Sequence, residues 1–212
     1  MHTHMHRSGV EERASAGHLS HLNVLFTGWG TQLYERVMVP LTSGLYHRVV
    51  ADLASLQPSV GTVLDAGTGP GTLAREIARR FPQAQVYGVD LSEDMIRLAR
   101  EHAQREQLAE RVHFDTANIA HLPYPDGSFD MVVSTISMHH WYELEQPLRD
   151  LYRVLQPGGR LWIYDFRFVT PQTVEKALTN TPFAGTPLKR TLVRTGHLPF
   201  AMYRCFALQR PR

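Results

Sequence analysis

Apolar residues recur at helical spacing through the first quarter of the chain. Between residues 18 and 39 the spacing predicts two short amphipathic helices that are interrupted near Gly28 and Gly30, and Pro40 is predicted to end that segment. Between residues 42 and 56 the apolar residues share one stripe, which predicts a third helix. The N-terminal part of the chain is therefore predicted to be helical.

Beyond residue 61 the pattern changes to short, β-rich apolar runs that alternate with helical patterns. Such alternation predicts a doubly wound α/β fold, in which a mostly parallel sheet carries helices on both faces. The last two strand candidates have no helix between them, so we expect an antiparallel hairpin at one edge of a seven-stranded sheet. The predicted strands cover residues 62–66, 86–89, 112–114, 131–134, 160–164, 189–194 and 202–209, and the predicted helices cover residues 72–81, 93–106, 144–155 and 172–178.

The composition limits the partners that the chain can have. It contains 22 basic and 20 acidic residues, so no strong field draws it toward nucleic acid or an anionic membrane. Its single cysteine, Cys205, allows neither an internal disulfide nor a zinc-type cysteine pair, which agrees with a reducing compartment. No apolar run approaches the roughly 20 residues of a membrane-spanning helix. We expect a cytoplasmic protein without membrane insertion, a nucleic-acid partner or a metal site.

A glycine-rich loop follows the first predicted strand, where residues 63–74 read Val-Leu-Asp-Ala-Gly-Thr-Gly-Pro-Gly-Thr-Leu-Ala. Glycines in such a loop let a ligand lie against the backbone, although a lone glycine loop can equally be a tight turn. The next predicted strand ends in Asp90, at the sheet edge where open α/β folds bind ligands. A carboxylate there can accept two hydrogen bonds from a ribose, which favours a nucleoside-type ligand.

The spacing of the glycines separates two classes of nucleoside ligand. A dinucleotide fingerprint has the spacing G-x-G-x-x-G, and its third glycine would fall at Thr72. This chain instead has G-x-G-x-G, with Pro70 inside the loop. The spacing therefore favours an adenosyl cofactor over a dinucleotide.

Three further motifs accompany the glycine loop. The four segments are Asp-Ala-Gly-Thr-Gly-Pro-Gly at 65–71, Gly-Val-Asp-Leu-Ser at 88–92, Leu-Pro-Tyr-Pro-Asp-Gly-Ser-Phe-Asp at 122–130 and Arg-Val-Leu-Gln-Pro-Gly-Gly at 153–159. In this order they resemble the class I S-adenosylmethionine-dependent methyltransferases. The likeness runs from about residue 63 to residue 165 and implies an enzyme that uses S-adenosylmethionine as its cofactor.

The resemblance also implies which residues hold that cofactor. The glycines Gly67, Gly69 and Gly71 would pass beneath it. Asp65 would face its amino acid moiety, and Asp90 would hold its ribose.

At Asn118, relatives often have an aspartate that reaches the adenine amino group. The amide oxygen of Asn118 can accept the same hydrogen bond without the charge. Ile119 would contact the adenine ring, or it is merely a core residue. The resemblance further places Thr68, Leu91 and Ser134 at the cofactor.

The reaction is expected above the strand that ends at Ser134, where residues 135–141 read Thr-Ile-Ser-Met-His-His-Trp. His139 or His140 would act as a general base, since imidazole titrates near neutral pH. The alternative is that one of them orients the loop or packs against the cofactor. Trp141 would either form a wall of the substrate pocket or belong to the core.

The motifs narrow the choice of acceptor without identifying it. The Asn/Asp-Pro-Pro-aromatic motif of adenine-N6 and glutamine-amide methyltransferases is absent, because residues 134–137 read Ser-Thr-Ile-Ser. A cytosine-C5 enzyme needs a cysteine nucleophile near the cofactor, whereas Cys205 lies far along the chain. We therefore expect a small-molecule acceptor, with a preference for oxygen, and a lipid or quinone precursor remains open. The alternatives are a catalytically inactive cofactor-binding subunit and, less favoured, an NAD-dependent oxidoreductase.

The length of 212 residues fits one domain, present as a monomer or homodimer. We expect a flexible N-terminus at residues 1–16, followed by one methyltransferase domain at residues 17–212. In that domain, the resemblance implies that residues 17–57 form a helical lid region that brings Tyr34 to the substrate pocket. Residues 58–166 form the cofactor-binding core, and residues 167–212 form the terminal helix and hairpin.

Overall fold

The computed structural model describes residues 34–56, 61–195 and 200–212. The N-terminus at residues 1–16 and most of the two helices predicted between residues 18 and 39 lie outside the described residues. No helix in the described ranges is both long and apolar enough to cross a membrane.

The described chain begins with a π-helical turn, Tyr34–Met38, that runs directly into helix α1, Val39–Ala54. Pro40 lies in the first turn of α1, so the prediction that it ends the preceding helical segment is wrong. The N–H groups of a first helical turn have no helical acceptor, and the fixed φ of proline suits that position. The helix predicted for residues 42–56 is thus confirmed but begins earlier.

The sheet and its flanking helices follow the predicted alternation, with boundaries that differ by a few residues. The strands are β1 Thr62–Ala66, β2 Gln85–Asp90, β3 Val112–Thr116, β4 Phe129–Thr135, β5 Leu155–Phe166, β6 Lys189–Val193 and β7 Tyr203–Gln209. The later helices are α2 Thr72–Arg80, α3 Glu93–Arg105, α4 Glu145–Val154 and α5 Pro171–Leu178.

The strand order in the described residues is β3-β2-β1-β4-β5-β7-β6. Strands β1 to β5 are parallel, and β7 pairs antiparallel with both β5 and β6. The predicted doubly wound, seven-stranded sheet with a C-terminal antiparallel hairpin is therefore confirmed. The chain leaves β1 toward β3 and returns to β4 on the other side of β1, so the strand order reverses between β1 and β4. Open α/β sheets bind ligands at the carboxyl ends of the strands beside such a reversal.

Two buried clusters hold the helices on opposite faces of the sheet. One cluster contains Leu45 of α1, Ile77 of α2 and Ile96 of α3, each almost fully buried. The other contains Leu148 of α4 and Val174 of α5. The amphipathic faces that the sequence predicted are thus the faces that pack on the sheet.

Strand β5 begins directly after α4, whereas the prediction began it at residue 160. Phe129 pairs with Leu155, but Met131, only two residues later, pairs with Arg160. The extra residues of β5 form a bulge around Gly158, whose φ of 83° lies in the left-handed region. The two glycines of the motif at residues 153–159 therefore lie inside an irregular strand.

Candidate active site

The loop after β1 is tied to the end of β2 by its own backbone. The N–H groups of Gly67 and Thr68 both donate to the Val89 carbonyl oxygen, at 2.9 Å each. Gly67, Gly69 and Gly71 have φ values of 80°, 52° and 74°, which side-chain-bearing residues rarely adopt. The glycines thus let the chain turn from β1 into α2 within a few residues.

The three glycines differ in what surrounds them. A Cβ atom on Gly67 would overlap the Ser137 side chain, and one on Gly71 would lie 2.6 Å from the Phe114 ring. In the described part of the chain, a Cβ atom on Gly69 would meet nothing within 4 Å. Packing therefore requires glycine at the first and third positions, whereas Gly69 borders open space where a ligand can lie on the backbone.

Asp65 has one oxygen without a partner. Its side chain is fully buried, Oδ2 accepts a hydrogen bond from Thr68 Oγ1 at 2.7 Å, and Oδ1 has no partner in the described part of the chain. Burial raises the pKa of the Asp65 carboxyl from its ordinary 3.8 to about 7, and the bond from Thr68 only partly opposes this. A positively charged donor that reached Oδ1 would satisfy the orphaned oxygen, as a cofactor ammonium would.

Asp90 ends β2 with both carboxylate oxygens held by backbone. Oδ2 accepts from the Gly69 N–H at 2.9 Å, and Oδ1 accepts from the Ser92 N–H at 3.0 Å. Burial raises the pKa of Asp90, and these backbone bonds oppose the rise. Each oxygen keeps one lone pair, so the carboxylate can accept hydrogen bonds from two ribose hydroxyls, one at each oxygen. Leu91, 62% exposed, offers an apolar surface immediately beside this carboxylate.

The remaining residues predicted at the cofactor lie in different surroundings. Asn118 is exposed, and its Oδ1 already accepts from the Ala120 N–H at 2.9 Å, which leaves one lone pair for an adenine amino group. Ile119 is half-buried, and its Cδ1 lies 3.9 Å from the Cβ position of Gly67. Ser134 is fully buried, and its Oγ has no partner among the described residues.

A strained residue follows β4. Ile136 has a φ of 51°, which is unusual for a β-branched side chain. Its N–H donates to the Tyr164 carbonyl at 2.8 Å, which holds the turn in place. The turn brings Ser137 onto Gly67, and Trp141 Nε1 donates to Ser137 Oγ at 3.1 Å. Trp141 is half-buried against the core, and its indole is hydrogen-bonded to the serine that lies against Gly67.

His139 lies in the short 3-10 turn that follows, and a buried carboxylate orients it. Asp165, at the end of β5, is fully buried and lies 2.8 Å from His139 Nδ1. The Asp165 carboxylate also accepts hydrogen bonds from the backbone N–H of His139 at 3.0 Å and from the backbone N–H of Phe166 at 2.7 Å. A carboxylate on Nδ1 fixes the proton there and leaves Nε2 as the acceptor. The arrangement can therefore take a proton at Nε2.

His140 has different surroundings from His139. Its ring centroid lies 3.9 Å from that of His139, and the residue is exposed. Desolvation and the neighbouring imidazole lower the pKa of His140, against the opposing effect of Asp165. Between the two predicted candidates, His139 is the one whose orientation a carboxylate fixes.

The predicted substrate-pocket residue Tyr34 is described only in its backbone, where it begins the π-helical turn. Helix α1 packs on the face of the sheet, where Asp52 accepts a hydrogen bond from the Tyr164 hydroxyl at 2.9 Å. A lid role for residues 17–57 stays a prediction.

The region around the glycine loop is similar to proteins of known family. Residues 63–159 match a family model described as a methyltransferase domain. The demethylmenaquinone methyltransferase of Deinococcus radiodurans is 38% identical over 119 residues, which are 56% of this chain and 48% of that protein. The ubiquinone/menaquinone biosynthesis C-methyltransferase UbiE of Geotalea daltonii is 35% identical over 115 residues, 54% of this chain and 48% of that protein. The chain thus spans about half the length of these curated relatives.

A solved structure extends the likeness to the fold. The chain superposes on a SAM-dependent methyltransferase from Aquifex aeolicus with a TM-score of 0.65 and 22% identity. The match covers 86% of this chain and 98% of that one. At this identity the likeness shows a shared fold.

Proposed function

We propose that the chain is a class I S-adenosylmethionine-dependent methyltransferase that transfers a methyl group from S-adenosylmethionine to a small molecule, which the family match over residues 63–159 and the similarity to named methyltransferases support. The observation that carries the proposal is the imidazole of His139, held by the buried Asp165 at the carboxyl edge of the sheet, in the turn that brings Ser137 onto the glycine loop. A cofactor site and an oriented proton acceptor thus share one edge.

The cofactor fits the polar groups that line the loop. Its ammonium would satisfy the unpartnered Oδ1 of Asp65, and its ribose hydroxyls would donate to the free lone pairs of Asp90. The open backbone at Gly69 leaves room for the adenosyl group. Leu91 and Ile119 would flank the adenine with apolar surface.

S-adenosylmethionine supplies a methyl group that is already activated by its sulfonium. What remains for the chain is to align the acceptor and to remove its proton. His139 Nε2 takes a proton from the acceptor hydroxyl, and Asp165 stabilises the resulting imidazolium through Nδ1. The acceptor oxygen loses one proton and gains one methyl group, so charge and atoms balance. This proton transfer favours an oxygen acceptor.

A carbon acceptor is the second candidate, because the relative from Geotalea daltonii is named a C-methyltransferase. Removing the proton of a ring hydroxyl also makes the neighbouring ring carbon nucleophilic, so the same base serves either outcome. Product analysis by mass spectrometry and NMR separates the two, since only O-methylation removes the hydroxyl.

The test compares His139→Gln and Asp165→Asn with His47→Gln, a change at an exposed histidine of α1. The rate of S-adenosylhomocysteine formation with a panel of hydroxylated acceptors is expected to fall about 100-fold or more in the first two variants, within the usual range for general base catalysis. Cofactor affinity, measured by calorimetry, should stay unchanged in all three. Full activity of His139→Gln would refute the base role.

The same measurements address the alternative of an inactive cofactor-binding subunit. That alternative predicts S-adenosylhomocysteine binding without turnover on any acceptor, together with a stable partner on purification.

A further inference from the structure

We propose that the cavity beside His139 binds a flat aromatic ring that carries an acidic group, and that Phe168 and Arg204 select this class of acceptor. The proposal rests on the proposed methyl transfer and names its substrate class. It follows from the shape, the aromatic lining and the two cationic side chains of one cavity.

The cavity lies directly after β5 and has a volume of about 430 Å³. This size falls within the range of small-molecule sites. Its walls come from the end of β5 and from the residues that lead into β7, so it opens at the same edge of the sheet as Asp165. The space thus opens at the sheet edge that carries the His139–Asp165 pair.

Aromatic rings connect the cavity to His139. The Phe168 ring centroid lies 5.6 Å from that of the His139 imidazole, and it stacks on Phe166 at 5.5 Å with an angle of 17° between the rings. Phe168 is 66% exposed and Phe200 is 54% exposed, although both line the cavity. Exposed phenyl rings facing a cavity are the surface that a flat ligand would cover.

The charged residues of the cavity are both cationic. Arg204 Nη1 donates to the Val169 carbonyl at 2.9 Å and to the Arg167 carbonyl at 3.3 Å. Arg167 Nη1 donates to the Ala201 carbonyl at 3.2 Å. These carbonyls orient the guanidinium groups without neutralising them, and none of the described residues that line the cavity is acidic. The remaining N–H donors of a fixed guanidinium suit a carboxylate.

Together these groups define one binding geometry. The acidic group of the acceptor pairs with Arg204, its ring stacks on Phe168, and its hydroxyl faces the imidazole that borders the same phenyl ring. A neutral ring would lack the first contact, and a non-aromatic acid would lack the second.

Calorimetry on protein loaded with S-adenosylhomocysteine tests the proposal with three probes: 3,4-dihydroxybenzoate, its methyl ester and cyclohexanecarboxylate. We expect the first to bind at least 10-fold more tightly than the other two. Phe168→Leu keeps an apolar side chain but removes the ring, and should weaken dihydroxybenzoate binding about 3- to 10-fold, as expected for loss of one aromatic contact. Cyclohexanecarboxylate binding should not change in this variant.

Arg204→Gln should weaken both acids and leave the ester unaffected, whereas Arg204→Lys should retain part of the acid binding. The matched control is Arg105→Gln, because Arg105 at the end of α3 also donates to a backbone carbonyl, that of Glu101. Thermal unfolding of each variant separates loss of binding from loss of folding.

Equal affinity for the acid and its ester would overturn the proposal. Equal weakening of aromatic and non-aromatic acids by Phe168→Leu would overturn it as well. Absence of probe binding to protein that does take up S-adenosylhomocysteine would also refute this inference and leave the proposed methyl transfer standing. Failure to take up S-adenosylhomocysteine would instead refute the proposed function.

Discussion

The affinity for S-adenosylhomocysteine should depend on pH through Asp65. In the free protein, burial raises the pKa of this carboxyl to about 7, so at pH 6 it carries about 0.9 proton. The ligand ammonium favours the carboxylate. Binding should therefore release the proton, and affinity should fall as the pH is lowered.

The pKa sets the size of the effect. Asp65 is about half ionised at pH 7 and about 3% ionised at pH 5.5, which lowers the affinity about 16-fold, or about 1.6 kcal/mol. Over this range the amino group of the ligand keeps its proton, since such groups titrate at higher pH.

Isothermal titration calorimetry measures both quantities. Titrations at pH 5.5 and 7.0 give the affinity ratio, and titrations at pH 6 in buffers of different ionisation enthalpy give the number of protons released. Asp65→Asn should bind more weakly at every pH and lose most of the pH dependence, whereas Asp90→Asn should keep it. A pH dependence that persisted in Asp65→Asn would refute the assignment to this carboxyl.

Three further predictions concern stability. The folded-state pKa of Asp65 is raised from 3.8, so the stability that this carboxyl contributes is present below about pH 4 and is lost as the pH rises through 7. The Asp65→Asn variant should therefore be more stable than the unsubstituted protein above pH 7, by about 1–4 kcal/mol in urea unfolding. This difference should shrink toward pH 4. Gly69→Ala should lower the unfolding free energy by only about 1 kcal/mol in the same assay but weaken S-adenosylhomocysteine binding at least about 10-fold. Gly71→Ala, whose Cβ would meet Phe114, should lower the unfolding free energy by about 2–4 kcal/mol. Equal destabilisation by the two changes would contradict the difference in their surroundings. Tyr164→Phe removes the hydrogen bond to an aspartate of α1 and should lower the unfolding free energy by about 1–2 kcal/mol, and an unchanged urea midpoint would contradict this.

The sequence predicted the fold well because its signals are local. Most strands of the parallel sheet contain a short apolar run between polar loops, and residues 62–66 match β1 without error. The prediction that Pro40 ends a helical segment is wrong because proline occurs both after the end of a helix and in the first turn of one. Only the structure distinguishes these two positions. The early start of β5 was missed because a bulge interrupts its pairing with β4.

The candidate site was predictable only in part. Asp65 and Asp90 lie next to strand ends that the sequence marks, so their proximity follows from the parallel sheet. Asp165 also ends a strand, yet its contact with His139 joins residues 26 positions apart and depends on the turn after β4. The strained conformation of Ile136 in that turn has no sequence signal, since β-branched residues normally avoid it.

The last strand of the chain lies inside the sheet, between β5 and β6. During synthesis from the N-terminus, one edge of β5 therefore stays unpaired until β7 has been made. Strand β6 is also made before β7, the strand with which it pairs. An open edge of this kind readily pairs with another chain. Synthesis of residues 203–209 thus completes the sheet, and a nascent chain stalled before them would expose the β5 edge to aggregation.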